Sequence, residues 1–320
     1  MNLKALLPTY NPTDNHIDFE YRFTIFTPVY NRADTLHRVF ESLNKQTFKD
    51  FELIIINDGS KDSSHQEILK HLKTTTFKTT YINNEINKHK MACLVEGISL
   101  AKGEFFLPFD SDDESTADAL QVFNDRYNNI PEDKKQNISS VTCLCNDQFG
   151  NLVGEKFDTD PLYSSTFNNI LLGRYKLEKW GFTKTSVLKR IYINPHLFSR
   201  GYIPEGIIWT FLSKLNFKTL YINNILRIYY LDTGNSITGE RYNKNTLGLA
   251  VYSLGILNWF YKDHFFKNPI LFLKWLYYLL LSSINLEFTF KEYIRSIDSS
   301  FFRLIFMICW PFRILIKHKL

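Results

Sequence analysis

Glu104-Phe105-Phe106-Leu107-Pro108-Phe109 runs without a break into Asp110-Ser111-Asp112-Asp113, and this junction decides how the chain is read. A short apolar run suits a strand covered on both faces, and the acids after it mark where the strand leaves the core. The same change recurs upstream: Phe23-Thr24-Ile25-Phe26-Thr27 leads into Pro28-Val29-Tyr30-Asn31-Arg32, and Phe51–Ile56 ends in Asn57-Asp58-Gly59-Ser60. Helical spacing separates these runs, through Leu36, Val39, Phe40 and Leu43, then Ile68, Leu69 and Leu72. A strand is predicted over Thr79–Ile82, and a helix from Lys90 to Ala101 that stops at Gly103 as a C′ residue. Strand–helix alternation of this kind predicts an α/β, doubly wound sheet with a largely parallel core. Ligands bind such sheets beyond the carboxyl ends of the strands. Thr27–Arg32, Asn57–Ser60 and Asp110–Asp113 would all lie on that edge, which predicts one shared site.

Working outward, residues 1–20 are polar with two prolines and read as an arm. A helix is predicted at about Ser115–Tyr127, strands at Val141–Cys145 and Lys218–Ile222, and a helix over Glu205–Leu215. Beyond 240 the chain reads as helical. Residues 262–320 hold nine lysines and arginines against four acids, which accounts for the whole formal charge of +5. A basic, apolar tail suits an anionic membrane surface, and no nucleic-acid motif accompanies it. Ile270–Ile284 and Ser300–Ile316 are each shorter or more charged than the roughly 20 residues a spanning helix requires, so they read as core-packing or interfacial helices. The four cysteines lack zinc-ligand spacing and read as reduced thiols, Met1–Pro8 is too short for a signal peptide, and a cytoplasmic protein is expected.

Asp110, Asp112 and Asp113 crowd three carboxylates onto one junction, where like charges repel unless a cation compensates. Oxygen ligands alone favour Mg²⁺ or Mn²⁺, which keeps positions open for substrate phosphates. The plain alternative is an acidic turn capping the following helix. Tyr30 is a candidate to stack on a base and Thr27 to meet it by backbone or hydroxyl, against an ordinary proline-bearing turn. Asp58 is a candidate acceptor for an imide proton, against a simple Asx-type turn.

In this order and spacing the three clusters resemble the signatures of the family-two glycosyltransferases, which have the GT-A fold. The resemblance runs through Thr27–Arg32, Phe51–Asp62 and Lys102–Glu114, and more weakly through Trp180–Ser236. It implies a Rossmann-like mixed sheet over 21–240, with a nucleotide-binding half at 21–115, an acceptor half at 116–240, and a helical extension at 241–320. It also implies inverting transfer from a nucleotide-diphospho-sugar, and with the basic tail the first expectation is a glycan or lipid-linked acceptor at the inner face of the cell membrane. By position, Thr27, Pro28 and Tyr30 would line the nucleotide pocket, and Asp58 would contact the base. Asp110 would touch the ribose with Ser111 beside it, and Asp112 would bind the metal.

The family's later carboxylate, the base that deprotonates the acceptor, finds its nearest match in Glu205. Gly206 stands where a second acid often occurs. Trp180 and Trp209 are candidates to stack on sugar faces or to pack the core. His89 reads as a surface residue, Leu94 replaces a family asparagine, and Lys90, Arg227 or Arg241 would meet the diphosphate. Tyr229–Ser236 resembles a segment that closes over the donor. A nucleotidyltransferase is disfavoured because Thr27–Arg32 contains no glycine. A catalytically silent scaffold or glycan-binding subunit stays open as the alternative.

Overall fold

The computed structural model describes residues 2–13, 16–198, 203–231 and 246–316. After β1 (Thr9–Tyr10) the chain alternates through β2 (Tyr21–Val29), α1 (Leu36–Asn44), β3 (Phe51–Asp58) and α2 (Ser64–Leu72). The alternation continues with β4 (Lys78–Asn84), α3 (Lys90–Leu100) and β5 (Gly103–Pro108). These four strands pair in parallel in the order β4-β3-β2-β5, the expected doubly wound core. All eight residues of β3 are buried, as a strand covered on both faces requires.

The second half is mixed. It runs through β6 (Glu114–Ser115), α4 (Ala119–Asn128), α5 (Glu132–Lys135), β7 (Ile138–Asp147), β8 (Leu152–Val153), β9 (Leu162–Ser164) and α6 (Thr166–Leu172). Then follow β10 (Trp180–Lys184), α7 (Thr185–Leu188), β11 (Ile191–Tyr192), α8 (Gly206–Lys214) and β12 (Lys218–Tyr229). β10 lies antiparallel between β5 and β7, and the long β12 extends the sheet parallel to β7. The chain closes with α9 (Thr246–His264), α10 (Pro269–Ser282), α11 (Phe290–Ser296), α12 (Ser300–Cys309) and α13 (Arg313–Ile316).

Side chains alternate across the sheet with period two. Phe23, Ile25, Leu53 and Ile55 pack under α1 and α4 with Leu36, Phe40 and Phe123. Phe26, Ile54 and Ile56 face the other way, where α3 and the C-terminal helices bury Met91, Leu94, Leu254 and Phe302 in one continuous core. The residues read as an arm join that second core: Leu3 and Leu6 are buried in it. Lys4 pairs with Asp298, and Asn2 and Ser296 share a hydrogen bond. α11 is fixed by a capping box between Thr289 and Glu292.

Two local expectations need correcting. Gly103 is not a helix C′ residue; α3 ends at the C-cap Ala101, and Gly103 opens β5. A Cβ there would fall 2.3 Å from Thr24 N, and its N–H donates to Thr24 Oγ1 at 2.7 Å. The glycine serves close strand approach rather than a turn. The helix expected at about Ser115 begins at Ala119, because Glu114–Ser115 pairs with Arg227–Ile228 as β6. The four cysteines are free, with Cys93, Cys143 and Cys145 buried.

Candidate active site

The first two loops of the sheet edge are bonded into one platform. Asn31 takes a left-handed conformation, φ 52°, after β2. Its N–H donates to Ser60 Oγ at 2.9 Å and its Oδ1 accepts from Lys61 N at 2.8 Å. Asp62 adds Ala33 N–H at 3.1 Å and Ser64 N–H at 3.0 Å. Gly59 has φ +70°, and a Cβ there would lie 2.6 Å from Asn87 N, so the third loop is held close as well.

Tyr30 is 45% exposed at the rim of this platform, with Pro28 half-buried behind it. Thr27 is fully buried, and its hydroxyl has no hydrogen-bond partner among the described residues. Asp58 is buried at the end of β3, where Oδ1 accepts from Lys88 N–H at 2.8 Å and Asn84 Nδ2 at 3.2 Å. Burial and the charge of Asp58 push the neighbouring Cys93 thiol well above its ordinary value.

The acidic junction does not form a cage of three carboxylates. Protein cations divide it. Asp110 Oδ1 accepts from Lys90 Nζ at 2.7 Å, and Oδ2 accepts from Arg227 Nη2 at 3.0 Å. Burial opposes ionisation of Asp110, but Lys90 and Arg227 outweigh it and hold the carboxyl below the usual range. Asp113 is 1% exposed and takes Nε of Arg227 at 2.8 Å, a second bond from Nη2, and Tyr230 N–H at 3.0 Å. Burial, with the charges of Asp110 and Asp112, pushes its carboxyl up to about 7 against the pull of Arg227. Ser111 is buried between them, its carbonyl taking the Thr35 hydroxyl at 3.0 Å.

Asp112 is left at the opening, its Oδ2 3.4 Å from Arg32 Nε. Arg38 holds the Asp112 carbonyl at 2.8 Å while stacking 3.6 Å from the centre of the Tyr230 ring. Among the described residues no group of three or more His, Cys, Asp or Glu converges to hold a metal. A single carboxylate completed by substrate phosphates is nevertheless the donor set Mg²⁺ ordinarily takes, and Asp112 fits that role.

Glu205 reaches this cluster from far along the chain. It sits at the N-cap of α8 but makes no capping bond; its Oε1 lies 3.1 Å from Lys90 Nζ. Lys90, at the first position of α3, thus stands between Asp110 and Glu205. Trp209 follows one helical turn later, partly buried against the core beside α9. A Cβ on Gly206 would meet the Tyr252 ring at 3.6 Å, ordinary contact, so α9 closes off that side.

Trp180 is placed away from the site surface. Its ring packs on Phe109 and Phe123, and its indole N–H donates to the Pro108 carbonyl at 2.7 Å, bracing the strand that carries Asp110. Arg227 is 4% exposed and fully engaged with acids, which argues against direct diphosphate contact. Leu94 is core, and His89 precedes α3 with φ 72°. Arg241 and residues 232–236 lie outside the described residues.

Sequence reading missed Glu178, whose Oε2 is 4.0 Å from Arg227 Nη1 and whose carboxyl is pushed up by burial. It lies in an irregular loop with no periodic or motif signal. It also passed over Arg32 and Tyr230, although both lie inside the quoted motifs.

Comparison with known proteins agrees with this geometry. Residues 24–133 match the glycosyl transferase family 2 model. The chain is 24% identical over 226 residues to the GalNAc(5)-diNAcBac-PP-undecaprenol beta-1,3-glucosyltransferase of Campylobacter jejuni, covering 68% of this chain and 67% of that one. It is 29% identical over 227 residues to the amylovoran biosynthesis glycosyltransferase AmsB of Erwinia amylovora, covering 68% and 73%. In structure it is similar to TarS 1-349 of S. aureus in complex with UDP-GlcNAc, with TM-score 0.61 and 19% identity over 86% of this chain and 79% of that one. It is also similar to the mannosyltransferase PcManGT of Pyrobaculum calidifontis, in complex with GDP-Man and Mn2+, with TM-score 0.55 and 14% identity over 86% and 77%. The match to the family 2 model over residues 24–133, the GT-A sheet and the glycosyltransferase relatives together mark this protein as a glycosyltransferase.

Proposed function

We propose that the protein moves a sugar, with inversion, from a UDP-sugar to a hydroxyl of a glycan or lipid-linked acceptor in surface polysaccharide synthesis, working in the cytoplasm at the membrane's inner face. The observation that carries this reading is Lys90, bonded to Asp110 at 2.7 Å and 3.1 Å from Glu205, because it draws the donor edge and a remote carboxylate into one site. TarS and PcManGT in their nucleotide and nucleotide-sugar complexes support the donor class. The undecaprenol-linked substrate in the name of the Campylobacter jejuni relative supports a lipid-linked acceptor.

In this reading the platform of Tyr30, Pro28 and Thr27 receives the base and Asp58 meets its edge, while Asp110 with Ser111 meets the ribose. Asp112 would hold Mg²⁺ or Mn²⁺, which when bound would supply positive charge to the departing diphosphate. Glu205 takes the acceptor's proton as the oxygen attacks the anomeric carbon opposite that phosphate. Lys90, already between two carboxylates, would meet the diphosphate from within the site, and Trp209 lies one turn from the base. The scaffold alternative has no specific observation in its favour.

Thermal shift with a panel of nucleotide-sugars and Mn²⁺ identifies the donor, since a ligand that binds only the folded state raises its apparent stability. Glu205→Gln is then expected to keep that donor shift while transfer falls by about 10²- to 10⁴-fold. Undiminished transfer would assign the base elsewhere, and absence of any donor shift in the wild type would favour the scaffold.

A further inference from the structure

We propose that α10, α12 and α13 present a docking face for an anionic lipid surface. From residue 301 onward, the exposed positions of the described chain are apolar: Phe301, Leu304, Met307, Ile308, then Pro311, Phe312 and Leu315. Phe302 and Phe306, on the opposite side of α12, are fully buried in the core, so the helix is anchored and its outer stripe is left to the surroundings. α10 repeats the arrangement, burying Phe272, Leu276 and Leu279 while exposing Ile270, Leu273 and Tyr277 at helical spacing. The two helices meet through Phe272 and Phe302. At their edge Phe266 is 95% exposed, beside Phe265, which in turn packs against Phe301. Apolar side chains exposed in one connected region mark a surface with an occupant.

Charge selects the occupant. No acid follows Asp298 in the sequence, whereas Arg303, Arg313, Lys317 and Lys319 do. Lys267 and Lys274 are exposed, and Lys274 falls one turn from Ile270 on the same face. Lysine stems lie along apolar surface while their ammonium groups reach lipid phosphates. A second copy of this chain docking by the same face would set Lys267 and Lys274 against their counterparts. Among the described residues no helix is long and apolar enough to cross a membrane, so the contact is one of lying in the interface.

This inference rests on the inner-face location in the proposed function and deepens it, but its test is separate from the catalytic reading, because binding is scored without donor or turnover. The test is co-sedimentation of the full chain with phosphatidylcholine vesicles, alone and with roughly 30% phosphatidylglycerol, at low and high salt. The expected result is binding at least about tenfold tighter to the anionic vesicles and weakened by salt. Leu304→Ser/Ile308→Ser/Phe312→Ser should abolish it with unchanged circular dichroism. Lys267→Glu/Lys274→Glu, on exposed positions that leave the core untouched, should remove the preference for phosphatidylglycerol. Wild-type protein left in the supernatant with both vesicles would overturn the proposal. So would binding retained by both variants, or a solution dimer that the serine variant dissolves and that does not bind vesicles.

Discussion

Asp110 has two cationic partners that live in different surroundings. At the inner end of the site, Arg227 is 4% exposed, and Asp113, which it grips through two nitrogens, is 1% exposed. At the outer end, the side chains of Lys90, Glu205 and Asp112 are 26%, 20% and 18% exposed. The inner charges are a fixed strut tying β12 to the end of β5. The outer charges are in reach of solvent and substrate and are able to exchange partners. One acidic stretch of sequence therefore supplies both the buried strut and, in the proposed mechanism, the metal ligand, and burial separates the two.

Arg227→Met breaks this division most severely. It leaves Asp113 buried without its cation, and the expected loss of stability is about 3–5 kcal/mol in urea unfolding. Arg227→Lys should recover only part of it, because an ammonium group does not reproduce the two-nitrogen grip. A loss below about 1 kcal/mol would place the inner pair in the same class as exposed ion pairs. Asp112→Ala probes the outer end. Metal-dependent transfer should fall at least about a hundredfold, while stability stays within about 0.5 kcal/mol. Wild-type turnover would remove Asp112 as the metal ligand.

Lys90→Met should cost about 1 kcal/mol of stability and weaken donor binding measured by calorimetry. Unchanged donor affinity would confine Lys90 to bridging Asp110 and Glu205. The smallest effect belongs to Asp62. Burial raises its carboxyl pKa, but hydrogen bonds from Ser64 and Ala33 outweigh this and leave it depressed. A depressed carboxylate stabilises fully above its unfolded pKa of about 3.9, and that contribution is lost as pH falls through the folded value. Wild type should therefore exceed Asp62→Asn in thermal midpoint at pH 6, with the gap closing in acid. A gap that does not depend on pH would locate the effect in neutral hydrogen bonding.

The parallel half of the sheet and its shared edge were legible because their information is local. Phe51–Ile56 is continuous enough to name a buried strand, and each strand delivers its polar cluster to the same edge by connectivity alone. What escaped was long-range. Nothing near Asp113 announces Arg227, 114 residues away, and nothing near Asp110 announces that the compensating charges are side chains. Trp180 reads equally as a sugar platform or as core, and only the arrival of Phe109 and Phe123 decides the matter. Gly103 misled because a glycine after a helical run has two physical uses, and the choice depended on how closely Thr24 approaches.

The clasp between the chain's beginning and α11 bears on synthesis. Lys4 and Asp298 are 294 positions apart, and Leu3 and Leu6 share a core with Phe302 and Phe306. A ribosome delivers Leu3 and Leu6 long before Phe302 and Phe306, so this core closes only when nearly all the described chain has emerged. Until then Phe26, Ile54 and Met91 lack their cover, however early the parallel strands pair. Removing the last helices to improve handling would strip this side of the sheet and leave the nascent state permanent.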